Sequence, residues 1–219
     1  MKPRLLDLFC GAGGAAMGYS RAGFEVVGVD IRPQPNYCGD KFYQDDALEF
    51  LRDESRVWSW DFDAIHASPP CQAYTRARKL QRNNHPEMVS TVRELLRDTG
   101  LPYVIENVPG APLEDPVLLC GTMFGLPLYR HRLFECSFPV TEPLHGQHYL
   151  RQVKMGRRPG PNELHQPVGH FSGVQEAREA MEMPWANQGE LAEAIPPAYT
   201  KYIGHYLMAE VEHRARAAA

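Results

Sequence analysis

Leu5-Leu6-Asp7-Leu8-Phe9-Cys10-Gly11-Ala12-Gly13-Gly14 is the stretch on which the reading of this chain turns. Its apolar first half has the near-continuous hydrophobicity of a strand buried on both faces, so a first parallel strand is expected over residues 4–9. The glycines that follow let the backbone turn tightly and pass close to a ligand, and residues 14–22 then read as a helix. A second strand is expected over 25–29, ending in Asp30, an acid placed where such folds meet ribose hydroxyls. Gly11, Gly13 and Ala16 satisfy only a permissive dinucleotide pattern. On this stretch alone a nicotinamide or flavin cofactor, S-adenosylmethionine and a glycine turn without ligand all remain open.

Further along, residues 61–67 read as a strand halted at Ser68, Pro69 and Pro70, because proline cannot continue it. Residues 87–98 form an amphipathic helical pattern, 103–106 another strand closed by Asn107, Val108, Pro109 and Gly110, and 133–138 a late strand. Alternating strands and helices in this order predict an α/β fold, a mostly parallel sheet with helices on both faces. Proline, glycine and histidine recur irregularly over 139–173, which is expected to be a small arm. Helical patterning returns at 174, and a last helix over about 197–216 is expected to pack back on the main domain. The expected organisation is a core of residues 1–138, an arm of 139–173 and closing helices of 174–219.

A chain of 219 residues and 24.8 kDa suits one domain with a small appendage. With 43% hydrophobic and 23% charged residues it is neither disordered nor fibrous in composition. No apolar run approaches the roughly 20 residues of a membrane span, and the first residues lack the apolar region of a signal peptide. Five cysteines without a CxxC pair suggest neither a disulfide framework nor a zinc knuckle, so a reducing, cytoplasmic setting is expected. The formal charge of −4 gives no general attraction to nucleic acid, but its distribution is uneven. Arg76, Arg78, Lys79 and Arg82 form one basic stretch; Arg151, Lys154, Arg157 and Arg158, with Glu163 alone against them, form another. Together the two stretches carry +7 and leave −11 on the rest, so an anionic partner would be met locally.

Three motifs carry chemistry. In Ser68-Pro69-Pro70-Cys71-Gln72, at the carboxyl end of a strand, two prolines stiffen the backbone before a cysteine in polar company, followed by a basic loop that would favour the thiolate. Cys71 is therefore either a nucleophile or an ordinary structural cysteine. Glu106 ends the neighbouring strand, where it either caps a turn or, in an apolar site, has a raised pKa and offers a proton. Arg130 and Arg132 alternate at the start of a strand, so both are expected on one face, as salt-bridge partners or as holders of anionic oxygens.

Taken jointly, LDLFCGAGG, SPPCQ, ENVPG and RHRLFE resemble, in order and spacing, the DNA cytosine-5 methyltransferase family. The resemblance runs over residues 4–138 and resumes at IPPAYTKYIG, 195–204, preceded by a weakened helix motif at 176–183. It implies a Rossmann-like S-adenosylmethionine-dependent methyltransferase fold with a small irregular recognition arm. It also implies methyl transfer to C5 of a flipped-out cytosine, with Cys71 adding to C6. Glu106 would act at N3, Asn107 would fix the strand end, Arg132 would hold O2, and Arg130 would support Glu106 or a phosphate. Phe9, Gly11 and Gly13 would face the methionine and ribose, Asp30 the ribose hydroxyls and Asp46 the adenine, with Asp45 an equally available neighbour. The loop 73–85 would close over the flipped base, and the basic residues of both stretches would meet phosphates.

Three departures from the family pattern stand out. Leu128 replaces a glutamine, Ala192-Glu193 replaces Gly-Asn, and the recognition segment is only about 35 residues long. Such a segment carries short or relaxed specificity, or leaves target selection to a protein partner. Expected partners are duplex DNA and no membrane, for a monomer in a setting such as restriction–modification. The alternatives are the same chemistry on RNA or a modified base, or a homologue that binds nucleic acid without catalysis. His145, His148, His165 and His170, with Cys136 nearby, lack the spacing of a metal site. They are expected to be solvated or phosphate-facing, with no metal bound.

Overall fold

A computed structural model describes residues 2–53, 61–71, 74 and 87–218. Seven strands form one sheet in the order β3-β2-β1-β4-β5-β7-β6. The parallel strands are β1 (Arg4–Leu8), β2 (Glu25–Asp30), β3 (Lys41–Gln44), β4 (Ala64–Ala67) and β5 (Tyr103–Asn107). β7 (Arg132–Cys136) runs antiparallel between β5 and β6 (Val117–Leu119). The chain leaves β1 toward β2 on one side and returns through β4 on the other, so the order reverses at β1 and a crevice opens at the carboxyl ends there.

The faces are covered by helices as the pattern requires. Leu6, Leu8, Val27, Val29, Ile65, Ala67 and Ile105 pack with Phe50 and Leu51 of α2 (Ala47–Arg52) and Val92 and Leu96 of α3 (Val89–Asp98). Leu5, Val26, Ala64, Val104 and Phe134 face the other way, toward α1 (Gly14–Ala22), α4 (Val174–Met181), α5 (Gln188–Glu193) and α6 (Pro197–Ala217). α6 lies directly on α1: a Cβ at Gly14 would meet the Ile195 carbonyl and one at Gly18 the Thr200 hydroxyl and the Pro197 carbonyl. Thr200 Oγ1 donates to the Ala15 carbonyl at 2.9 Å, tying the two helices together.

Strand alternation on this second face has a consequence for function. Two residues beyond Leu5, Val26, Ala64 and Val104 stand Asp7, Gly28, His66 and Glu106, so the face is apolar in its middle and polar at its carboxyl edge. The expected elements are in place. The arm contains a feature not foreseen, a two-stranded parallel ribbon of β8 (Arg151–Val153) and β9 (Glu163–His165). Among the described residues no helix is long and apolar enough to cross a membrane.

Candidate active site

At the β1 edge the backbone is held in an unusual shape. Phe9 has φ 58°, Gly11 φ 49° and Gly13 φ 85°, three left-handed residues in five, a cost that only glycine avoids. The Asp30 carboxylate holds this turn, accepting from the Gly11 amide at 3.0 Å and the Arg32 amide at 2.9 Å. Trp185 Nε1 donates to the Ala12 carbonyl at 2.9 Å. A Cβ on Gly11 would meet nothing within 4 Å, so that residue faces open space. The first turn of α1 has no side-chain cap, which leaves its amides and the positive end of the helix dipole facing the same region.

Asp7 lies under this turn, wholly buried. Neither carboxylate oxygen completes a hydrogen bond among the described residues. Burial, with Asp30 adding to it, raises its pKa well above the ordinary carboxylate value, and the Ala16 amide offsets only part of this. Asp46 caps α2, its Oδ1 accepting from Leu48 and Glu49 amides at 2.8 and 3.1 Å. Ile31, next to Asp30, is 64% exposed, an apolar side chain at the same edge that the sequence did not single out.

At the β4–β5 edge the SPPC and ENV segments come together. Asn107 Nδ2 donates to the Pro69 carbonyl at 2.9 Å and its Oδ1 accepts from the Val108 amide at 2.9 Å, so this side chain joins the two strand ends. Glu106 is buried and pairs with Arg132 Nε at 2.9 Å. Burial raises the Glu106 pKa, although Arg132, a hydrogen bond from Ser68 and the nearby Arg130 all favour its charged form. Cys71 is partly exposed. Its thiol is also pushed up, by burial first, with Arg132 pulling it down and Glu106 raising it further. The basic residues of the following loop, expected to favour the thiolate, lie outside the described residues. Among the described residues Arg132, reaching the sulfur from β7, is the larger cationic influence and Arg130 the smaller.

Behind Glu106 runs a chain of buried donors. Tyr19 OH lies 2.9 Å from His66 Nδ1, and His66 Nε2 lies 2.9 Å from Ser68 Oγ, whose hydroxyl bonds Glu106. Burial pushes His66 down to about 3, so its ring is neutral. If Ser68 donates to the carboxylate, it accepts from His66 Nε2–H, and Nδ1 accepts from Tyr19. Sequence reasoning missed Tyr19 and His66. Only the period-two spacing of His66 on β4 and Ser68 just beyond it could have pointed to them.

Arg130 is not where the sequence placed it. It precedes β7 with φ 39°, so it and Arg132 do not share a strand face. Its guanidinium donates to the carbonyls of Ala194, Pro167, Leu191 and Ala192 at 2.7 to 3.2 Å. Burial and the adjacent Arg132 push it down to about 9, and it stays charged at neutral pH. Arg130 therefore locks the arm and α5 to the core through its hydrogen bonds, and supports Glu106 only through its charge. Tyr199 OH, donating to the carbonyls of Tyr129 at 3.1 Å and Arg130 at 2.9 Å, fixes the same bend.

The second basic stretch is divided. Arg157 pairs with Glu163, whose carboxyl it pulls down to about 2, and Arg158 Nε pairs with Glu176 at 3.0 Å. Arg151 and Lys154 have no acidic side chain within ion-pair distance among the described residues, so two of the four expected phosphate contacts are already engaged. Arg76, Arg78, Lys79 and Arg82 lie outside the described residues. A cavity of about 260 Å³ between core and arm is lined by Arg132, His131, Tyr129, Gln152, Gln166 and Val168 among others.

Sheet order, glycine turn and polar carboxyl edge together define an S-adenosylmethionine-dependent methyltransferase. Residues 3–116 match the family model of the C-5 cytosine-specific DNA methylases, and the chain belongs to that family. It is a DNA cytosine-5 methyltransferase with S-adenosylmethionine as methyl donor. Type II methyltransferase M.AquIA of Picosynechococcus is 24% identical over 208 residues, covering 71% of this chain and 82% of the relative. Type II methyltransferase M1.HphI of Haemophilus parahaemolyticus is 33% identical over 222 residues, covering 78% of this chain and 59% of the relative. Among solved structures, a DNA modification methyltransferase encoded within an E. coli prophage superposes with a TM-score of 0.67 at 15% identity, over 96% of this chain and 99% of the other. The Entamoeba histolytica methyltransferase EhMeth does so with a TM-score of 0.60 at 14% identity, over the same shares.

Proposed function

We propose that the chain methylates C5 of a cytosine flipped out of duplex DNA, through a covalent bond between Cys71 and C6. The observation that carries this reading is the meeting of Cys71, Glu106, Asn107 and Arg132 at one sheet edge, beside the glycine turn. C5 of cytosine is too electron-poor to take a methyl group directly. The Cys71 thiol first loses its proton to solvent; addition of the thiolate sulfur to C6 then moves the ring electrons toward C5 as Glu106 delivers its proton to N3. Arg132 holds O2 and keeps the sulfur's negative charge favourable, and Asn107 keeps the two strand ends in register. Once C5 carries the methyl group, the C5 proton leaves to a base, the C6–S bond breaks with its electrons returning to sulfur, and N3 gives its proton back to Glu106.

The donor fits the β1 edge. Gly11 opens to free space and Asp30 holds the turn, with Asp46 at the start of α2 as the residue for an adenine amino group. Bound there, S-adenosylmethionine supplies an activated methyl group. Residues 139–173 would make a small recognition segment, with Arg151 and Lys154 on phosphates.

The test is methyl transfer from tritiated S-adenosylmethionine to duplex DNA, single-stranded DNA and RNA, with bisulfite sequencing of the product. Label in duplex DNA at C5 of cytosine is expected. Label confined to RNA would overturn the choice of substrate, and label at N4 the chemistry.

A further inference from the structure

Four side chains of two kinds converge at the junction of core and arm. They are Cys120 after β6, His131 before β7, and His145 and His148 in the arm. His131 Nε2 lies 3.3 Å from His145 Nε2, which lies 2.9 Å from His148 Nε2, which lies 3.4 Å from Cys120 Sγ. All four donor atoms fall within 4.8 Å of one another. We propose that this cluster is a structural zinc site, one Cys and three His, that fastens the arm to the catalytic core.

Hydrogen bonding does not account for the arrangement. Each imidazole Nε2 offers one proton or one lone pair, yet His145 and His148 each turn that single atom to two neighbours. A central cation satisfies all four donors at once. Donors at about 2.0–2.3 Å from a tetrahedral zinc stand roughly 3.3–3.7 Å apart, against 2.9–3.4 Å for the three neighbouring pairs and at most 4.8 Å across the cluster, so a small adjustment of exposed side chains closes the site. Mixed imidazole and thiolate ligation suits zinc better than magnesium or calcium, and four protein donors leave no open position, as in structural sites.

The surroundings support the ligands. Thr122 Oγ1 lies 3.1 Å from Cys120 Sγ, in reach to donate to a thiolate. The His148 ring stacks on Tyr129 at 3.6 Å and on His131 at 4.8 Å, which fixes its plane. Tyr129 OH bonds both the amide and the carbonyl of Leu150 at 2.9 Å, so the arm is docked just beyond His148. From 139 to 150 the arm has neither helix nor strand, and Leu144 and Tyr149 are 97% and 81% exposed, so packing does little to hold it. From the sequence, His145, His148, His165 and His170 with Cys136 were expected to bind no metal, and only His145 and His148 of that group join this cluster. His165 bonds the Ser172 carbonyl, and His170 and Cys136 lie outside the cluster.

The test uses the full chain, stripped with a chelator and dialysed against zinc, then metal-free buffer. One zinc per chain is expected. Cobalt(II) in its place should give the intense visible bands of a tetrahedral site with a sulfur-to-cobalt charge-transfer band, and Cys120→Ser should lose that charge-transfer band. His145 is exposed and its ring meets those of His131 and His148 at the surface, so His145→Ala tests ligation without opening the buried core. It should weaken zinc binding at least about tenfold, whereas His170→Ala should not. Duplex binding should fall on zinc removal while S-adenosylmethionine binding stays, so the site is measured separately from the methyl-transfer reading. Less than half an equivalent of zinc in the wild type, a weak octahedral cobalt spectrum, or unchanged affinity in His145→Ala would overturn the proposal.

Discussion

Glu106 and Arg132 form a buried ion pair, 2.9 Å apart, between the end of β5 and the start of the antiparallel strand β7. The antiparallel strand is what makes the pair possible, because it brings an arginine from far along the chain back to the carboxyl edge of the parallel strands. Removing one partner leaves the other charge buried, so Arg132→Ala should lower stability by about 3–5 kcal/mol. Glu106→Gln keeps the shape, should cost less stability, and should slow methyl transfer by roughly 10²–10⁴-fold. Chemical denaturation and single-turnover rates check both.

The Tyr19–His66–Ser68 chain should set the working pH of Glu106. A donor to a carboxylate favours its charged form, so Ser68→Ala should raise the Glu106 pKa further. The limb of the kcat/KM profile that reports Glu106 should then move to higher pH. Tyr19→Phe should move it the same way by less, since it acts through His66. A lower rate with an unmoved profile would mean that the chain is only packing.

Asp7 should weaken the fold as pH rises. Its folded pKa is raised, so below about pH 4 the acid is protonated in both states and Asp7→Asn should match the wild type. Above that the unfolded chain gives up its proton and the folded chain resists. The wild type should then lose about 1.4 kcal/mol relative to Asp7→Asn for each unit of the raised pKa that the pH passes. Melting curves from pH 4 to 8 measure this.

Arg130→Ala should act on assembly. Several buried carbonyls lose their donor at about 1–3 kcal/mol each, so a loss of at least about 3 kcal/mol is expected. That corresponds to a fall of roughly 6–12 °C in Tm.

The arm's free cations should carry the salt dependence of binding. Arg151→Ala or Lys154→Ala should each lower the slope of log K against log salt by about 0.9 on duplex DNA. Arg157→Ala, whose charge is already met by Glu163, should change it little. Fluorescence anisotropy across salt concentrations decides between them.

The core of the fold was legible because its signals are local. The LLDLF run, the glycine turn and the proline stop after β4 each state their structure within a few residues. β3, α2 and β6 were not read, since each is only three to six residues long and owes its form to a neighbour or a cap. Glu106 and Arg132 were read as site residues, but their pairing was not. Arg130 was misplaced because its positive φ breaks the strand alternation on which the reading relied. The Cys120–His131–His145–His148 cluster was invisible because its donors come from three segments that only the fold brings together.

Covalent trapping on a duplex with 5-fluorocytosine at the target position tests the central claim most directly, because fluorine at C5 cannot leave as a proton and the final elimination is blocked. With S-adenosylmethionine present, the account predicts a denaturant-stable complex of the wild type whose cross-linked peptide contains Cys71, and none with Cys71→Ser. A methylated product with no trapped complex, or equal trapping by Cys71→Ser, would contradict it.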